Sequence, residues 1–225
     1  MNGVLVVAEL KGGEIRGASR EAVSAGRLVA QALGGPVHAA VCGGSGSGEA
    51  ASGLGAQGAS VVHGIESPDL EAYHGSAFAE SLAELVRGEG YEVVLLSATA
   101  QGRDLAPRLA ARLGVPLLTD ATGLDASGGN VLVTRPVYAG KAMARVRSEG
   151  TPVVVSLRPN TFPATDAAAT PEVRVSAPTS HTEWGAYRPG AFEASGDALV
   201  DVSEASVIVS GGRGMKGPEH WGVLQ

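Results

Sequence analysis

The chain has 225 residues, enough for one large domain or for one domain with part of a second. It is 44% hydrophobic and only 4% aromatic, dominated by Ala, Val, Leu and Gly, a palette suited to helices packed closely on a parallel sheet. A net charge of −6 with no basic cluster argues against a nucleic-acid surface, and a single cysteine rules out an intrachain disulfide.

The opening "MNGVLVVAEL" has no basic segment, and its apolar run is too short for a signal peptide or a membrane span. A soluble, cytoplasmic protein in a reducing compartment is expected. Residues 3–10 read as a strand buried on both faces, because their apolar residues are continuous rather than alternating. Residues 19–35 read as a helix with Ser19 as N-cap, an apolar face of Ala22, Gly26, Val29 and Leu33, and Gly34-Gly35 as its stop. A second strand follows at 36–44. It ends on Cys42, whose setting is that of a small buried residue rather than a reactive thiol. The glycine-rich stretch after it, 42–50, lacks both the dinucleotide fingerprint and the Walker spacing and reads as a flexible loop with a short helix.

Strands are expected at 60–65 and 91–99. Around the second of these lie an amphipathic helix at 74–90, with Phe78, Leu82, Leu85 and Val86 on one side, and another helix at 102–116. Such alternation implies right-handed βαβ crossovers and a parallel sheet covered on both faces. The fold class expected is therefore α/β, in three layers about a mostly parallel sheet. Beyond residue 120 the pattern changes to three strand-like runs, 130–138, 141–148 and 151–159, read as an antiparallel extension. Residues 160–205, rich in Pro, Ser, Thr and Ala, look like a connecting arm with strands near 172–178 and 198–204. A last strand, "SVIVS" at 206–210, opens a new unit.

No catalytic constellation emerges. The five histidines lack metal-site spacing, and no nucleophile elbow is present. At the start of the fourth helix Arg103 and Asp104 stand where open α/β sheets bind ligands. Their spacing nevertheless suits a helix cap and its exposed partner better than a site. In the closing stretch the loop Gly211, Gly212, Arg213, Gly214 offers backbone N–H groups and one planar cation to an anion. An ordinary tight turn with a solvated arginine explains the same residues equally well.

Three stretches taken together, "SATAQGRDLAPRLAARLGVPLLTDATGL", "VTRPVYAGKAMARV" with "TPVVVSLRPNTFP", and "VIVSGGRGMKGPEHWGVLQ", resemble the alpha subunit of an electron transfer flavoprotein. The resemblance implies an N-terminal α/β domain at 1–200, of the adenine nucleotide alpha hydrolase-like kind, and the first strand and loop of an FAD-binding domain at 201–225. It implies a heterodimer with a beta subunit that holds any AMP. FAD in that complex carries electrons from acyl-CoA dehydrogenase-type flavoenzymes, as in fatty acid beta-oxidation, to a quinone oxidoreductase. The chain would be a carrier subunit and not an enzyme. Arg213 matches the family's FAD-contacting arginine, Gly211, Gly212 and Gly214 would shape its loop, and Arg103 would face a subunit interface. Family members continue beyond this loop, so the expectation is a scaffold fragment that binds FAD weakly or not at all. Pro218 departs slightly from the family's wording where a helix should start. The rival expectation is a free-standing adenine-nucleotide-binding α/β protein with its ligand at Ala98–Asp104.

Overall fold

Successive residues of the first strand turn to opposite sides of the sheet, and both sides are buried. Val4 and Val6 join one core while Leu5 and Val7 join the other. The computed structural model describes residues 3–178, 190, 202, 205 and 207–224, and separates into two units, Met1–Gly190 and Ala191–Gln225.

In the first unit, β1 (Val4–Val7), β4 (Val37–Gly43), β5 (Val61–Glu66), β6 (Val93–Ser97), β7 (Leu117–Ala121), β11 (Val153–Leu157) and β12 (Glu172–Ser176) form one seven-stranded sheet. Its order is β12-β5-β4-β1-β6-β11-β7, and every pairing is parallel. Helix α1 (Gly17–Leu33) covers one face through Ala22, Val23, Val29 and Leu33. On the other face α3 (Gly75–Glu89) packs Phe78, Leu82 and Val86, and α4 (Ala100–Leu113) packs Leu105 and Leu109. This is the expected three-layer α/β architecture.

The antiparallel extension is a three-stranded sheet of β8 (Gly123–Asp125), β9 (Leu132–Val137) and β10 (Ala142–Arg147), in the order β10-β9-β8. A two-stranded ribbon, β2 (Leu10–Lys11) with β3 (Glu14–Ile15), follows β1, and the short helix α2 (Ser47–Ala50) follows β4. After β11 the chain runs as an irregular strap toward the far edge of the sheet. Thr165 is tied to Ser24 of α1, and Ala167 and Ala169 donate to Ala56 and Gly55 before β12 pairs with β5.

Several expectations are corrected. The run at 151–159 does not extend the antiparallel sheet: β11 enters the parallel sheet between β6 and β7, where all five of its residues are buried. Ser19 is not the N-cap of α1. The helix starts after an extended Arg16, and the Ser19 hydroxyl instead accepts the Glu9 N–H at 2.8 Å. Helix α4 is capped by Thr99, which accepts the Gly102 N–H at 3.0 Å, so Asp104 is not its cap. Val207–Ser210 form no strand among the described residues. Val207, Ile208 and Val209 are 78%, 57% and 67% exposed, because no described segment of their own unit offers a pairing edge. The strand expected at 198–204, apart from Val202, and the histidine at 181 lie outside the described residues.

Candidate functional site

The crevice at the carboxyl ends of the parallel strands and the Arg213 loop are the two places where the sequence carries ligand-site features. The crevice is a cavity of about 440 Å³ beside the ends of β1 and β4, lined among others by Glu9, Gly43, Gly46, Glu71, Tyr73 and Gln101. In open α/β sheets this is the usual ligand position, because helix N-termini and free N–H groups face it.

Here those donors are already engaged by the protein's own carboxylates. Glu9, buried at the end of β1, receives Thr99 Oγ1 at 2.5 Å and Arg16 at 3.1 Å. Its carboxylate thereby takes the anion position at the start of α4. The glycine-rich loop after β4 is filled the same way: Gly46 and Gly48 donate their N–H groups to Glu66 at 3.0 and 2.9 Å. Gly48 is needed for close packing, since a Cβ there would lie 3.0 Å from the Gly64 Cα. Sequence reasoning missed this arrangement because each carboxylate lies far along the chain from its donors, Glu9 ninety residues from Thr99. A crevice lined by carboxylates, with no Lys or Arg among its described lining residues, is poorly suited to the phosphates of an adenine nucleotide.

Arg103 and Asp104, adjacent in sequence, separate in space. Asp104 accepts Tyr73 OH at 2.6 Å and Arg108 Nε at 3.0 Å, and the Tyr73 hydrogen bond holds its carboxyl below the usual range. Arg103 is exposed on the flank of α4, near Asp120 and not in the crevice. Cys42 is buried, and burial pushes its thiol well up, as suits a structural residue. Among the described residues no cluster of three or more His, Cys, Asp or Glu could hold a metal ion. No described helix is long and apolar enough to cross a membrane.

The Arg213 loop lies in the second unit. Arg213–Met215 form one 3-10 turn entered from an extended Gly212, and Pro218 opens a second, Pro218–Val223. Proline at such a start loses no hydrogen bond, so its departure from the family wording has no structural cost. Arg213 is exposed. The three glycines differ in their surroundings. A Cβ on Gly211 would meet the Met215 sulfur at 2.2 Å, a contact that the flexible Met215 side chain can relieve. Around Gly212 and Gly214 nothing lies within 4 Å, which leaves the backbone on either side of Arg213 open to a ligand. One guanidinium between two open backbone positions fits contact with a phosphate group.

Comparison with known proteins bears on both places. A family model for the electron transfer flavoprotein domain matches residues 4–181. The chain is 34% identical over 223 residues to the electron transfer flavoprotein subunit alpha of Bacillus subtilis, covering 99% of this chain and 67% of that protein. It is 33% identical to the protein FixB of Clostridium saccharobutylicum, with the same coverage. To the mitochondrial electron transfer flavoprotein subunit alpha of Oryza sativa it is 34% identical, covering 98% of this chain and 63% of that one. The chain thus spans about two thirds of the length of these relatives.

Proposed function

The chain belongs to the electron transfer flavoprotein family, and we propose that it acts as the alpha-type subunit of such a carrier, paired with a beta-type subunit. The observation that carries this reading is the reach of the similarity. It runs over 99% of the chain against the Bacillus subtilis alpha subunit, and so takes in the Arg213 loop as well as the α/β unit.

FAD supplies the redox chemistry of such a carrier when bound. This chain's part is to contact it: Arg213 at a phosphate, with Gly212 and Gly214 leaving room and Gly211 leading into the turn. One cation and an open turn repay little of the cost of ordering a ligand of this size. On its own the chain therefore binds FAD weakly, and its main contribution is to dock the beta-type subunit and carry the flavin-contacting loop. The electron donors are acyl-CoA dehydrogenase-type flavoenzymes and the acceptor is a quinone oxidoreductase, in the cytoplasm or at its membrane face. The adenine-nucleotide alternative is disfavoured by the carboxylates that occupy the crevice.

Co-expression with a beta-type subunit tests the reading. A stable complex is expected, and flavin absorbance should be near zero on the chain alone. Stoichiometric flavin on the isolated chain defeats the weak-binding claim, and failure to associate with any beta-type subunit defeats the subunit assignment.

A further inference from the structure

Near its end, β7 carries a non-glycine residue in the left-handed region: Asp120 has φ 59°. Backbone of this kind persists only where the surroundings over-determine it, and it gathers at functional sites. Asp120 is held from two sides. Ser156 Oγ on β11 accepts its N–H at 3.0 Å, and Arg158 donates Nε to Oδ1 at 3.1 Å and Nη2 to Oδ2. The β7–β11 register shifts at this same point.

A pocket of about 390 Å³ opens between α4 and β7, with Arg103, Thr119, Asp120 and Ser156 on its polar side and Pro107 and Leu117 on its apolar side. The charges do not balance. Arg158 chiefly, with Arg103 and Arg135 contributing from a distance, holds the Asp120 carboxyl below its usual range. The Asp120 carboxylate is already bidentate to Arg158, so it is not free to pair with the Arg103 that shares the pocket wall with it. Asp104, the residue next to Arg103, is turned to Tyr73 and Arg108. Among the described residues the Arg103 guanidinium makes no hydrogen bond or ion pair, its backbone N–H alone being bonded, to Thr99, and Arg135 Nε is buried without a partner. An uncompensated guanidinium beside a pocket with a free hydroxyl is the arrangement that receives an oxyanion.

We propose that the pocket between α4 and β7 binds the phosphate or carboxylate group of a small soluble ligand, with Arg103 as its principal cation. Thr119 donates its hydroxyl, Asp120 is a positioning residue that fixes Arg158 at the rim, and Pro107 and Leu117 receive the apolar part of the ligand. The proposal draws on no residue of the Arg213 loop and stands or falls independently of the carrier reading.

Titration of the isotope-labelled chain with inorganic phosphate, and separately with succinate, at constant ionic strength tests it by nuclear magnetic resonance. Saturable shifts at Arg103, Thr119, Asp120 and Ser156 are expected, and the tighter of the two anions identifies the ligand class. Arg103→Gln should weaken binding by about tenfold or more, the loss of one charge-assisted contact. Arg174→Gln, on the far edge strand β12, should leave it unchanged. Failure to saturate, equal binding by Arg103→Gln, or shifts spread over arginines throughout the chain overturns the proposal. So does an Arg103→Gln variant that loses a beta-type subunit but keeps phosphate, which would make the face a docking surface.

Discussion

Thr99 Oγ1 lies 2.5 Å from Glu9 Oε1, and the contact joins the ends of β1 and β6 across ninety residues of sequence. The same threonine caps α4, and the same carboxylate pairs with Arg16. One buried acid thereby ties two strands, a helix start and a surface loop into the wall of the crevice. Glu9→Gln keeps the shape but removes the negative charge that pairs with Arg16, and should cost about 2–3 kcal/mol. Thr99→Ala loses the cap and should cost about 1 kcal/mol. Because Thr99→Ala removes the contact that Glu9→Gln only weakens, the double variant should lose less than the sum of the two. Denaturant unfolding of the four proteins measures this, and strict additivity would show that the contact is not formed.

Gly102 sits where α4 presses against the end of β6. A Cβ there would lie 1.8 Å from the Ser97 carbonyl oxygen, a collision with backbone that no side-chain rotation relieves. Gly102→Ala should therefore destabilise by about 3 kcal/mol or more, and only by displacing the helix start. Gly88, exposed in α3 with nothing within 4 Å, is the opposite case. Gly88→Ala should stabilise by roughly 0.5–1 kcal/mol, since it removes freedom from the unfolded chain at no steric cost. Thermal melts of both variants distinguish the two effects by sign.

Helices α1, α3 and α4 and the parallel strands β1, β4, β5 and β6 were legible because their signals are local, whereas β7, directly after α4, was not legible as a strand. The face Phe78, Leu82, Val86 repeats at helical spacing, and "GVLVVAEL" is apolar without alternation. The misplaced strand shows what local reading lacks. "VVVSL" carries the same continuous apolar signal as β1, but its place directly after the strands β9 and β10 suggests that it continues their antiparallel sheet. Its neighbours in space, β6 and β7, come much earlier in the chain. The candidate sites divide in the same way. The glycine-arginine loop is visible as a word in the sequence. The Asp120–Arg158 pair, thirty-eight residues apart, and the Glu66 carboxylate that fills the glycine loop appear only once the sheet is assembled.

Cys42 should behave as a core residue. It is 8% exposed on the face of the sheet covered by α3, and burial raises its thiol far above the range in which a thiolate forms at neutral pH. A thiol reagent in excess should modify the native protein only at the rate of opening, and the denatured protein at once. Rapid stoichiometric labelling under native conditions would contradict the burial. The same measurement with the Gly102→Ala variant should show faster labelling, because a displaced α4 loosens the same core.

Tyr91 OH meets two imidazoles, His38 Nδ1 at 2.6 Å and His63 Nε2 at 2.8 Å. A phenol donates one hydrogen bond and accepts another, so the trio is satisfied when both rings are neutral, one accepting and one donating. Burial lowers both imidazoles below the ordinary 6.5. Arg174 on β12, paired in register with His63, pushes the same way, while Glu89 and Glu172 oppose it. The unfolded chain therefore binds these protons more readily than the folded one. The resulting stability is complete above about pH 6.5 and is lost as the pH falls through that value toward the lower folded ones. Asp104 and Asp120, held below 3.8 by Tyr73 and Arg158, lose their contributions only in a more acid window. The melting temperature should stay level above about pH 6.5 and decline toward about pH 5. The double variant His38→Gln with His63→Gln should flatten that decline while melting lower at neutral pH. An undiminished decline in the double variant would place the acid sensitivity elsewhere, and an acid-insensitive parent would show that both rings stay hydrated.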